Sequence, residues 1–274
     1  MRARSTPSMV GSDDRGLLLG DGVFETVRLY GGRPVFLERH LARMEVGART
    51  LGIPIPEKLR SRVGEAMRGW DGEDAALRIT LTRGPGAGLA PPPDPRPELI
   101  VSVRGWSEDP GVLQRGLSAR LHGRVDEQAL VVGVKTIGYT ERIQALRMAR
   151  LAGADEALIR NSRGRVVEGS ASNVFAVAGG DTLLAPGPEE GALAGITREL
   201  LLEIAEDLGL RSDPRGLEPS ELEEVSELLL SSSLRGVVPV TEIEGRAVGT
   251  GRPGPIFRAL RQGLGERVGR LLRE

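Results

Sequence analysis

The stretch ALVVGVKTIGYTERIQ, residues 129–144, ends a run of valines on a lysine, and the reading of that lysine decides how the rest of the chain is read. Of the 37 lysine and arginine residues, only Lys58 and Lys135 are lysine; the other 35 are arginine. A guanidinium stays protonated, with a pKa above about 12, and cannot serve as a nucleophile. An amine at a low-dielectric strand end can lose its proton, because burial disfavours the charged form. On the residues alone two readings of Lys135 stand open. It is an ordinary lysine with its stem on apolar neighbours and its ammonium in water, or it is a nucleophile that forms a Schiff base with a carbonyl cofactor.

Outward from this stretch, the pattern is that of two α+β domains. LLLGDGVFETVRLY (17–30) turns at Gly-Asp-Gly into an alternating strand. VFLERHLARMEVGARTLG carries apolar residues at helical spacing and stops at Gly52, and EKLRSRVGEAMRGW is a second helix. AALRITLTRG and ELIVSVRG are strands around the proline- and glycine-dense loop GPGAGLAPPPDPRP. After GWSEDPGV come the strand LSARLHGRV, the valine run, a helix over 140–151 and the strand EALIRN. NSRG has hairpin composition and RVVEGSASNVFAVAGG returns as the partner strand. TRELLLEIAEDLGL is a helix capped by Thr197 or by Gly195. A helix over 218–224, the strand ELLLSSS, the turn SLRGVVPV and the amphipathic helix PIFRALRQGLGERVGRLLRE follow. The expected division is a small N-terminal domain (1–106), a linker (107–112) and a larger domain (113–274).

Composition narrows the chemistry. Cysteine is absent, so disulfides, thiolate nucleophiles and cysteine metal sites are excluded, and the cytoplasm is the expected compartment. The only histidines are His40, read as a packing or surface residue of a helix, and His122, at a strand end, so no metal site is expected. A formal net charge of −1 gives no global field toward nucleic acid or anionic lipid. No apolar run approaches the roughly 20 residues that span a bilayer. GPGAG does not cradle a nucleotide, since PPPDP follows where a phosphate-binding helix would begin.

Three further features bear on Lys135. Glu168 closes the apolar run RVV, where a carboxylate is either a structural ion-pair partner or the group that keeps a pyridine nitrogen protonated. GITR (195–198) opens a helix, whose free amides and dipole favour an anion. Ser231, Ser232 and Ser233 supply hydroxyl donors, or form a plain loop.

GDGVFETVR, HLAR, KTIGY with GADEAL, VVEGSASNVF, LAGITREL and SSSLRGVVPV occur in the order seen in the fold-type IV, class IV pyridoxal-phosphate enzymes, and the chain resembles that family over residues 11–245. The family includes D-amino-acid and branched-chain aminotransferases and aminodeoxychorismate lyase; the GDGVFET opening and short length look most like the lyase, with a class IV aminotransferase as the alternative. The resemblance implies pyridoxal 5′-phosphate held by Lys135, which then moves the substrate proton, with Glu168 on the ring nitrogen. It implies that Arg43, Ile196, Thr197 and Ser233 hold the phosphate, that Leu193 lies on the ring face, and that Tyr139 reaches the ring hydroxyl. Asn173 becomes a supporting residue, and the amides of Leu234 and Arg235 face the substrate carboxylate. It also implies a homodimer taking a small-molecule substrate near the subunit boundary. Two departures stand out. MRARSTPSMVGS replaces the usual first strand, which is expected to be absent, and the specificity loop at 84–93 lacks both the arginine and tyrosine of the GGRGY found in some lyases and the Arg-x-His of some D-amino-acid transaminases.

Overall fold

The computed structural model describes residues 3–5, 10–68, 70 and 72–273. The chain clusters into two compact units, Met1–Ser107 with Val134–Tyr139, and Glu108–Gly133 with Thr140–Glu274. Each is α+β.

In the first unit, β1 (Ala3–Ser5), β2 (Gly22–Tyr30), β3 (Arg33–Pro34), β4 (Ala75–Thr82) and β5 (Glu98–Gly105) form one sheet in the order β1-β5-β4-β2-β3. A first strand is therefore present, contrary to expectation: Ala3–Ser5 pairs antiparallel with β5, Ala3 opposite Arg104 and Ser5 opposite Ser102. β5 alternates between buried and more exposed positions, whereas β2 is buried at nearly every residue. Val23, Val27, Leu29, Leu77, Ile79, Leu81, Leu99, Val101 and Val103 share a core with Leu41, Met44 and Ala48 of α2 (Leu37–Thr50) and with Leu59 and Val63 of α3 (Leu59–Met67). Burying each of these valine, leucine, isoleucine and methionine side chains stabilises the fold by about 1.5–3 kcal/mol. The opposite face of β2 and β4 carries Phe24 and Arg78. The short helix α1 (Arg15–Leu19) is capped by Asp14, whose carboxylate accepts from the Leu17 amide.

The sequence assigned 134–139 to the larger domain; the structure puts this segment in the first unit. The Phe24 amide donates to the Lys135 carbonyl at 3.0 Å and the Ile137 amide to the Gly22 carbonyl at 3.1 Å, so the lysine segment pairs along the start of β2. Nor is the valine run a strand. Residues 129–134 are turns and coil: the Gln128 amide bonds to the Asp126 carboxylate, the Ala129 amide to the Asp126 carbonyl, and Gly133 takes φ +76°, leaving Leu130 98% exposed.

The second unit begins with α4 (Pro110–Arg115) where a linker was expected. Its strands are β6 (Leu117–Arg124), β7 (Glu156–Arg160), β8 (Val166–Gly169), β9 (Asn173–Ala178), β10 (Thr182–Leu184), β11 (Arg211–Asp213), β12 (Glu227–Ser232), β13 (Gly236–Ile243) and β14 (Arg246–Ala247). The order β11-β10-β9-β12-β13-β6-β7-β8 closes on itself through a β8–β9 pairing, with β14 on β13. The helix α5 (Thr140–Leu151) approaches this sheet through the small side chains Ala145 and Ala149, packed on Ala157 and Ile159. The helices α6 (Ile196–Asp207) and α7 (Pro255–Leu271) approach closely at Gly263, where a Cβ would come within 2.7 Å of Ile204. The N-cap of α6 is Gly195, and Thr197 lies inside the first turn. Residues 219–223 form a 3₁₀ turn rather than an α-helix, and the turn expected over SLRGVVPV ends at residue 235, where β13 takes over.

Candidate active site

The first unit places the amine. Lys135 Nζ donates to Tyr139 Oη at 3.2 Å and lies 4.5 Å from the centre of the Phe24 ring. Tyr139 meets the same ring edge-on, with centroids 5.1 Å apart. Arg78 stacks on Phe24 with its guanidinium carbon 3.3 Å from the ring centre, and its Nε donates to Thr80 Oγ1 at 3.3 Å. Phe24 is opposite Thr80 in the β2–β4 register, and Thr26 opposite Arg78, which explains why these side chains share a face. Among the described residues, no carboxylate lies within ion-pair distance of Arg78. Burial pulls its pKa down to about 10, the cost of holding a cation there.

Arg43 is held from behind. Its Nε and Nη2 donate to the two oxygens of Glu25 at 2.8 and 2.7 Å, and His40 Nδ1 lies 2.7 Å from Glu25 Oε2. Glu25 is fully buried. Burial alone would raise its carboxyl, but the hydrogen bonds from His40 and Arg43, with their charges, bring it down to about 2. His40 is therefore a buried partner of an acid, not a surface residue. The loop at 84–93 is fastened by another buried arginine: Arg15 donates to the carbonyls of Gly88 (2.7 Å) and Leu89 (3.0 Å) and to Asp21 (2.8 Å).

The second unit places an acid and a helix start without a side-chain cap. Glu168 is 3% exposed at the end of β8, its Oε1 bonded to Arg142 and its Oε2 3.4 Å from the Leu193 amide. Asn173 Nδ2 donates to the Leu193 carbonyl at 2.7 Å, and a Cβ on Gly195 would fall 2.0 Å from Asn173 Oδ1, so only glycine lets this loop seat against Asn173. Gly195 offers no side-chain cap, and a helix start of this kind, at Ile196 and Thr197, favours an anion. Ser231 lies opposite Asn173 in the β12–β9 register; its hydroxyl is buried and has no hydrogen-bond partner among the described residues. Ser233 follows in the turn, Leu234 is half-buried, and the amide of Arg235 makes a long 3.4 Å bond to Ser232 Oγ. An uncapped helix start, an unsatisfied buried hydroxyl and a buried carboxylate suit a phosphorylated, nitrogen-bearing ring.

The structure thus joins Lys135 with Tyr139, and Glu168 and Asn173 with the Leu193 loop. Phe24, Glu25, His40, Arg78 and Arg142 were not singled out from the sequence as site residues. Glu25 alone left a usable signal, an acid in step with Val23 and Val27 on the apolar face of its strand.

The family model for amino-transferase class IV matches residues 22–243. The bifunctional aminodeoxychorismate lyase / D-amino acid transaminase of Mycobacterium tuberculosis is 31% identical over 253 residues, covering 87% of each chain. The 4-amino-4-deoxychorismate lyase of Pseudomonas aeruginosa superposes with a TM-score of 0.85 at 32% identity, covering 97% of this chain and 98% of its own. A hypothetical aminotransferase from Mycobacterium tuberculosis, solved in its PLP-bound form, superposes with a TM-score of 0.82 at 27% identity, covering 97% and 99%.

Proposed function

The chain belongs to the class IV aminotransferases, and from that premise we propose that it is a pyridoxal 5′-phosphate enzyme, loaded on Lys135, that acts on an amino substrate bearing a second carboxylate, with 4-amino-4-deoxychorismate lyase as the first reading. When bound, the cofactor supplies an electron sink for the pair left on the carbon that loses its proton. The protein supplies the rest. Lys135 Nζ takes that proton and returns it, steadied by Tyr139 Oη, whose role is to hold the amine as much as to reach the ring. Glu168 holds the proton on the ring nitrogen. Arg43, fixed by Glu25, works with the first turn of α6 and Ser233 on the phosphate; Leu193 lies on the ring face, and Asn173 holds its loop. The amides of Leu234 and Arg235 receive the substrate carboxylate.

The observation that carries the reading is Lys135 itself, an amine 3.2 Å from a tyrosine hydroxyl in a chain that otherwise uses arginine. Arg78 points to the substrate. A half-buried guanidinium stacked on the same phenyl ring, with no carboxylate in ion-pair range among the described residues, suits an acid group arriving with the ligand. Elimination would release pyruvate and leave 4-aminobenzoate. The second reading, transamination of a D- or branched-chain amino acid, is kept open by the bifunctional relative, whose name joins the lyase to a D-amino acid transaminase, while the 84–93 loop carries the signature residues of neither. We further propose a homodimer in the cytoplasm. Leu17, Leu18 and Leu19, 65, 57 and 47% exposed, follow Arg15 on α1, the residue that holds the loop carrying exposed Leu89, and these exposed apolar side chains are where we place a second copy. Among the described residues, no helix is long and apolar enough to cross a membrane.

The test offers the loaded enzyme 4-amino-4-deoxychorismate, D-alanine and L-leucine separately. Formation of 4-aminobenzoate supports the lyase; bleaching of the cofactor only by D-alanine or L-leucine moves the assignment to transamination. No reaction with any of the three sinks both readings.

A further inference from the structure

Glu168 needs a partner before any cofactor arrives, because a lone buried carboxylate is costly. That partner is Arg142. Its Nη2 donates to Glu168 Oε1, and its Nη1 lies 3.4 Å from the Gly169 carbonyl, so the guanidinium grips both the side chain and the strand that bears it. Both ends are rigid. Glu168 is fixed by pairing with Ile159 on one side and Asn173 on the other. Arg142 sits in the first turn of α5, whose Ala145 and Ala149 are packed in a buried cluster. The arginine thus occupies one oxygen and leaves Oε2, which meets the Leu193 amide at a long 3.4 Å, as the oxygen with spare capacity.

We infer that Arg142 is a positioning residue: it keeps Glu168 a charged, immobile acceptor and aims Oε2 at the ring nitrogen of the cofactor. The inference rests on the function proposed above and adds a residue to it. Arg142 touches neither substrate nor cofactor; it acts through Glu168. Without it, the buried carboxylate loses the cation that holds Oε1 and turns aside, and a ring nitrogen must then recover that loss on binding. A cofactor analogue with carbon in place of the ring nitrogen makes no such demand.

The experiment measures the dissociation constants of the full-length apoenzyme for pyridoxal 5′-phosphate and for its 1-deaza analogue, both of which can condense with Lys135. The wild type is expected to prefer the natural cofactor. Arg142→Met should lower that preference by about tenfold, the scale of one lost charge-assisted hydrogen bond, with affinity for the analogue little changed. Arg142→Lys, which restores a cation without the planar fork, should recover part of the preference. Equal weakening toward both ligands in Arg142→Met, or an undiminished preference, overturns the inference. A wild type that binds both ligands equally overturns the Glu168 assignment and this inference with it, while failure of either ligand to attach to Lys135 overturns the underlying function.

Discussion

Glu25→Gln removes one negative charge at nearly constant volume from a fully buried site. Glu25 accepts two bonds from Arg43, at 2.8 and 2.7 Å, and faces His40 Nδ1 at 2.7 Å. Its carboxyl titrates at about 2 in the fold against 4.5 for an unperturbed glutamate. A depressed folded pKa contributes stability that is complete above the unfolded value and is lost as pH falls through the folded one. That interval corresponds to about 3 kcal/mol near neutrality and to about 1 kcal/mol at pH 3. Both tryptophans, Trp70 and Trp106, lie in the first unit, so their fluorescence follows the unit that contains Glu25. Urea unfolding read this way should show the variant weaker by about 3 kcal/mol at pH 7, with the deficit falling to less than half at pH 3. A deficit that stays constant between these pH values would refute the reasoning, because it would mean that the glutamine harms packing and not charge. The same variant should lose affinity for pyridoxal 5′-phosphate more than for unphosphorylated pyridoxal, since Arg43 loses the acid that orients it.

Borohydride reduction of the loaded enzyme, followed by peptide mapping, should fix the cofactor on a peptide containing Lys135; label on Lys58 would remove the central residue from the mechanism. Arg78→Leu should raise KM for 4-amino-4-deoxychorismate by about tenfold or more, on the order of one lost charge pair, and leave KM for D-alanine nearly unchanged. Because the fold bears the cost of burying this guanidinium, the substitution should also maintain or raise thermal stability. A variant that is both less stable and equally impaired on the two substrates would make Arg78 a structural residue.

What could be read in the sequence was what local pattern and residue rarity carry. Lys135 stood out because 35 of its fellow cations are arginine, and Glu168 because it ends an apolar run. Strand alternation placed Val23, Val27 and Leu29 on the core face, and it also placed Glu25 there, a signal that required pairing with His40 and Arg43, one helical turn apart on α2. Arg78 gave no such sign: on the polar face of its strand it is indistinguishable from a solvated arginine until Phe24 is seen beneath it. Arg142 is separated by 26 residues from the acid it holds. The valine run misled for a definite reason. Strand propensity is a statement about fitting a half-buried pleated surface, and residues 129–133 pair with no strand, since Asp126 and Gly133 turn the chain instead and only Val134 reaches the core of the first unit. The pairing comes only afterwards, when the carbonyl of Lys135 accepts from Phe24 and the amide of Ile137 donates to Gly22. Backbone bonds thus anchor Lys135, and they read no side chain. Leu130 and Val131 are therefore replaceable in a way that the register of β2 and the packed Val134 are not: an insertion between Gly22 and Phe24 would displace the amine, while polar substitutions at the exposed Leu130 and Val131 would leave it in place.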